Sequence, residues 1–266
     1  GEIRSVSLMR DAGEAVGHVY IPLLVASLLV TPVYWFSTKM LSLTPDGLVQ
    51  ASLFSLMWQL GMILTHVVIS LGGVIMPRLT SSDIPVEDNL INYMPAMLAA
   101  FFFILPISLL SSYWIGIVLP VYNEQEVKSC LLLVMGAVYI SAFKSGMARI
   151  IAVKGKGWIS IISNSIWLVI FIALIKFHGI DSASDLALII FVSHMSGMLV
   201  FMPVFYSQKI LTRGILLSKD LNLINFLVFV AFIFSIWPVG DIANLFVMIA
   251  LFAVLVPRFL NSKVMR

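Results

Sequence analysis

Long apolar stretches follow one another along the chain, separated by short polar or charged breaks. A helix rises about 1.5 Å per residue, so crossing about 30 Å of hydrocarbon takes roughly 20 mostly apolar residues. Eight stretches approach that length, and the pattern predicts spanning helices over 19–41, 48–76, 94–119, 129–153, 158–175, 184–206, 223–237 and 242–256. Two breaks carry turn chemistry. Thr44-Pro45-Asp46-Gly47 separates the first two helices, and Pro77-Arg78 is expected to end the second. Pro22, Pro32, Pro106 and Pro203 fall inside predicted helices, as kinks that neighbouring helices make tolerable in a bilayer.

Composition agrees with this pattern. Of the 266 residues, 61% are hydrophobic and 11% charged, more apolar than a water-soluble core can hide. The expected fold is all-α and polytopic, with the lipid bilayer as its solvent. The formal charge of +3 comes from scattered basic residues without a basic stripe, which argues against a nucleic-acid partner. A single cysteine, Cys130, excludes an intrachain disulfide.

Lysine and arginine positions predict the orientation. Eleven (Arg4, Arg10, Arg78, Lys154, Lys156, Lys209, Arg213, Lys219, Arg258, Lys263 and Arg266) fall on one side, against Lys39, Lys128 and Lys176 on the other. Both termini are therefore expected in the cytoplasm, as an even number of crossings also requires. The expected organisation is a cytoplasmic segment over 1–18, a six-helix membrane lobe over 19–206, a cytoplasmic loop over 207–221, two further helices over 222–257 and a tail over 258–266.

Within the apolar segments, few residues carry chemistry. Lys144 lies ten residues before Lys154, about 15 Å along a helix and so deep in the membrane. Holding a cation there costs roughly 2.5–3.5 kcal/mol on insertion scales, a cost usually met by a water-filled cavity or an anionic partner. All thirteen acidic residues fall in predicted loops, tails or helix edges. Lys144 is therefore expected to meet an anionic substrate, a carboxylate from outside this lobe, or water by snorkelling. Arg149 lies about one turn from the predicted cytoplasmic end, where snorkelling also accounts for it.

The second segment carries a polar stripe. Ser52, Ser55, Gln59, Met62, His66, Ser70 and Gly73 recur at helical spacing, the pattern of a face turned to protein or water. Small polar residues also pack helix on helix, so the stripe is either a packing face or a cavity wall, with Gln59 and His66 favouring the wall. His194, between Ser193, Ser196 and Gly197, reads as a packing face. Ser163 and Asn164 are further candidates for a cavity lining.

No enzyme motif is present. Val153-Lys154-Gly155-Lys156-Gly157 lacks the spacing of a phosphate-binding loop, and no metal-ligand cluster, paired buried carboxylates or nucleophile–base arrangement emerges. No catalytic residue, metal ion or cofactor is expected, and no enzymatic activity.

Leu29-Val30-Thr31-Pro32-Val33, followed by the stretch from Gln59 to Pro77, resembles the seventh and eighth helices of Wzx-type O-antigen flippases. Ala148-Arg149-Ile150-Ile151-Ala152-Val153-Lys154-Gly155-Lys156 is similar to the end of their tenth helix. These proteins belong to the multidrug/oligosaccharidyl-lipid/polysaccharide exporter superfamily. The resemblance covers essentially the whole chain and rests on the order, spacing and topology of its motifs. It implies a six-helix carboxy-terminal lobe of a MATE-like exporter fold plus two extra helices, in a bacterial inner membrane. The implied activity is alternating-access flipping of an undecaprenyl-diphosphate-linked oligosaccharide for O-antigen, lipopolysaccharide or other surface polysaccharide assembly. Lys144 and then Arg149 would meet the diphosphate, with Gln59 and His66 lining the cavity. The chain starts at Gly1 and lacks an amino-terminal lobe, so a longer protein or a partner chain is expected to supply one. A multidrug exporter of the same superfamily, or a non-transporting membrane scaffold for glycan assembly, are the alternatives.

Overall fold

A computed structural model of the protein describes residues 16–81 and 90–236. All regular structure among them is helical. A π-helical turn, Val16–Tyr20, leads into α1 (Ile21–Leu41), and α2 (Gly47–Ser81) follows. Then come α3 (Leu90–Leu109), α4 (Ser111–Val118), α5 (Glu124–Val153), α6 (Trp158–His178), α7 (Ala183–Ser207), the single turn α8 (Arg213–Leu216) and α9 (Lys219–Ile236). Six of these, α1, α2, α3, α5, α6 and α7, are long and apolar enough to cross a membrane.

The first six predicted segments thus recur with shifted ends. The seventh, 223–237, overlaps α9, which is not among the six. Lys219, Asp220, Asn222 and Asn225 occupy its first turns, and it is described as far as Ile236. The eighth, 242–256, lies outside the described residues, as do the segments over 1–15 and 237–266.

Local chemistry sets the helix limits. Gly47 N donates to Thr44 O at 2.9 Å and Asp46 takes φ 56°, so the predicted turn closes between α1 and α2. The side chain of Asn123 accepts from the backbone N–H of Gln125 and Glu126, which starts α5 five residues before the expected 129. Ser182 and Asp185 form a reciprocal capping box on α7. Two expectations need correction. Pro77 does not end α2, which continues to Ser81; near a helix end a proline removes one backbone donor without stopping the following turn. The third helix is not continuous over 94–119. It comprises a 3₁₀ turn (Leu90–Tyr93), an α-helical stretch (Met94–Ala99), a π-helical stretch (Ala100–Ile104) and a last α-helical turn (Leu105–Leu109), and α4 follows after a break at Leu110. Pro106, which cannot donate to a carbonyl one turn earlier, stands two residues after the end of the widened stretch.

The apolar window of α5 is 72% buried, against 11% for α1, which makes α5 the centre of the bundle. It packs on α2 and α7, while α6 lies between α1 and α7. A Cβ on Gly61 of α2 would come within 2.7 Å of Val138, and one on Gly72 would meet Arg149, so α2 and α5 run parallel. Cys130 Sγ donates to Ala183 O at 3.7 Å and Lys154 Nζ to Lys209 O at 2.9 Å, so α5 and α7 are parallel too.

The interior divides into two apolar cores. One takes Val127–Val138 of α5 with Ala183–Ile190 of α7 and Trp167 and Phe171 of α6. The other takes Phe143–Ile151 of α5, Phe201 and Phe205 of α7, and Ile159 of α6. Between them each helix contributes polar residues: Ser141 and Lys144, Ser193 and His194, Ser163 and Asn164. This polar layer, deep in the bundle, is the feature the fold builds around.

Candidate functional site: a polar layer between two apolar cores

Lys144 projects from α5 at the junction of the cores and is half-buried. Among the described residues it has no hydrogen-bond or ion-pair partner. None of the described carboxylates pairs with it: Asp46 and Asp181 lie in turns, and Glu124, Glu126, Asp185 and Asp220 in or beside the first turns of α5, α7 and α9. A cation without a counter-charge in an apolar bundle is costly unless water or an anion reaches it.

Next to Lys144 stands an aromatic and histidine cluster. Counting along α7 from Ala183 as far as Lys144 lies from Cys130 reaches Gly197, one turn from His194. Tyr34 Oη and His194 Nε2 are 2.7 Å apart, tying α1 to α7. The imidazole stacks on Trp167 with centroids 5.2 Å apart, and Tyr34 packs on Trp58 at 4.3 Å. His194 Nδ1 and Trp167 Nε1 are buried without partners. At Gly197 the α7 backbone runs close to α6, so that a Cβ there would lie 3.4 Å from Trp167. His194 therefore belongs to a helix-packing face, as its serine and glycine neighbours suggest, and also carries an unsatisfied polar atom. Asn164 Nδ2 donates to Ala26 O at 2.9 Å and so joins α6 to α1, while Ser163 is buried.

Arg149 does not reach outward as a snorkelling side chain. Its Nε donates to Asn92 Oδ1 at 2.9 Å, its Nη2 to the Asn92 carbonyl, and its Nη1 to Ser145 Oγ at 3.5 Å. Asn92 is fully buried and donates in turn to Gly146 O at 2.7 Å. The guanidinium lies over Gly72, where a Cβ would come 2.3 Å from Nη1. This makes Arg149 a strut joining α2, α3 and α5.

Gln59 and His66 occupy a different surface. α2 faces α5 through Leu53, Met57, Gly61, Leu64, Val68 and Gly72, all buried. Ser52, Gln59, Met62, His66, Ser70 and Gly73 are exposed on the other side, with Ser55 half-buried. The register set by Gly61 and Gly72 puts His66 level with Lys144, across the helix. His66 Nδ1 lies 2.9 Å from Met62 O of its own helix, and Ser52 Oγ 2.9 Å from Tyr122 Oη. The four predicted site residues thus form no single pocket within the described bundle: Lys144 and Arg149 sit inside it, Gln59 and His66 outside. The stripe is polar over a length that lipid does not solvate well.

Sequence reasoning missed Asn92, Tyr34 and Trp167. Asn92 had a weak signal, a polar residue just before Met94-Pro95 at the start of an apolar run. Tyr34 and Trp167 had none, since aromatic residues in apolar segments are ordinary.

No family model, curated protein or solved structure matches the chain.

Proposed function

We propose that this chain is one lobe of a membrane transporter that flips an undecaprenyl-diphosphate-linked oligosaccharide across a bacterial inner membrane, with both termini in the cytoplasm. The observation that carries this reading is Lys144, a cation held between two apolar cores with no carboxylate among the described residues to neutralise it. A diphosphate supplies the missing negative charge, and charge-assisted contacts to phosphate oxygens are strong where water is scarce.

Two further features support it. The exposed polar stripe with Gln59 and His66 is the kind of face that a second lobe or a wet cavity covers, so these residues form a second wall of the route. Arg149, locked to Asn92, extends the positive field from a fixed position. A drug exporter taking cationic compounds is disfavoured by the positive charge in the layer.

The reading is tested by reconstituting the chain, with whatever lobe precedes or accompanies it in the cell, into liposomes holding lipid-linked oligosaccharide. Movement between leaflets is followed by accessibility of the saccharide to an external lectin. Lys144→Met is expected to slow flipping at least about tenfold, the loss of one charge-assisted contact. Unchanged flipping would remove the diphosphate role.

A further inference from the structure

We propose that His194 is a proton-binding site whose occupancy is linked to that of an anion at Lys144, so that proton and anion are taken up together. This rests on the reading of Lys144 as the anion's partner and adds to it the coupling ion.

The geometry starts with the ring itself. His194 is 6% exposed, clasped by Tyr34 at Nε2 and stacked on Trp167, with Nδ1 buried and unpartnered. In either neutral tautomer one nitrogen is satisfied through Tyr34 and the other is not. The imidazolium has two donors. Its Nε2–H keeps the Tyr34 oxygen, and its Nδ1–H requires an acceptor, which a water admitted to the polar layer supplies. Proton uptake from the aqueous phase is therefore tied to wetting of the layer, the step that opens the route to Lys144.

The neighbouring helices determine which charges act there. α1 presents Tyr34 and α6 presents Trp167, while Lys176 and His178 sit at the far end of α6. On α2 the one titratable side chain among the described ones is His66, on its exposed face. On α7 itself Asp185 and Tyr206 lie at opposite ends. From α5 comes Lys144, which the Cys130–Ala183 register sets within about one turn of His194 along the bundle. A protonated His194 is thus a second positive charge in one layer of low polarity, and like charges there repel far more than in water. An anion at Lys144 cancels that repulsion. Linkage is reciprocal: a proton on His194 strengthens anion binding by the same factor.

The test uses the full chain in liposomes with ¹⁵N-labelled histidine. Solid-state NMR reads the protonated fraction of His194 at a fixed, well-buffered pH 6, and His194→Gln identifies its signals among those of the four histidines. Lys144→Met is expected to raise that fraction at least about threefold, and inorganic pyrophosphate to do the same in the wild type. A rise in Lys144→Met without a rise on pyrophosphate overturns the proposal through its anion, and places the failure in the reading of Lys144. An unchanged fraction in both overturns it at the histidine and leaves the reading of Lys144 standing.

Discussion

Arg149 holds Asn92 at two atoms, its Nε donating to the side-chain oxygen at 2.9 Å and its Nη2 to the backbone carbonyl. Asn92 precedes the first α-helical turn of α3, so the contact fixes where that helix enters the bundle, against the last third of α5. The same guanidinium rests on Gly72 of α2. Three helices meet at one charged group, and that group stays close to the polar layer without depending on its contents.

Asn92→Ala leaves the Arg149 Nε–H and the Gly146 carbonyl without their partners in the interior, while Nη2 keeps the backbone carbonyl. The expected cost is about 1.5–3 kcal/mol, the range for hydrogen bonds to charged groups. Thermal unfolding in detergent should show a clear fall in melting temperature, while Ser145→Ala, which removes only the 3.5 Å contact, should change it little.

Two glycines on opposite faces of α2 give a sharper comparison. A Cβ at Gly61 would come within 2.7 Å of Val138, whereas one at Gly73 meets nothing within 4 Å. Gly61→Ala should separate α2 from α5 and cost about 1–3 kcal/mol as an overpacked contact. Gly73→Ala should be neutral or mildly stabilising, since alanine loses less conformational entropy in a helix. Equal melting temperatures for the two variants would contradict the parallel packing of α2 on α5.

Tyr34→Phe removes the hydroxyl tie to His194 and leaves a second ring nitrogen unpaired. We expect about 1–3 kcal/mol of destabilisation. A double-mutant cycle with His194→Leu should give a coupling energy of about 0.5–3 kcal/mol, because the two residues act as a unit. Additive losses would mean that the 2.7 Å approach contributes nothing.

Much of the bundle was legible in the sequence. Runs of apolar residues located six membrane-length helices, the turn at Thr44–Gly47 closed as its proline and glycine indicated, and every described carboxylate stands at a helix end or turn. The interruption around Pro106 was not legible, because hydropathy is blind to backbone geometry. Lys144 was identified by depth alone, which requires only helical rise. The binding of Arg149 to Asn92 was not, since Asn92 lies 57 residues away on another helix and only packing brings them together. For the same reason Gln59 and His66 were grouped with Lys144: residue type told that their face is not lipid-like, but not which side of α2 meets α5.

The central claim is that the Lys144 position opens to water rather than to lipid. Its most direct measurement is the reaction rate of a cysteine there with an anionic, membrane-impermeant methanethiosulfonate, in a Cys130→Ala background. The cysteine thiolate, which forms where water reaches the sulfur, attacks the reagent's thiol sulfur and expels methanesulfinate. Val169, 67% exposed on α6, provides the lipid-facing comparison. Lys144→Cys should react at least about tenfold faster than Val169→Cys, as a wet chamber requires. If the two react equally slowly, the cation lies against acyl chains or in a dry interior, and the account of an anion-binding transport route is contradicted.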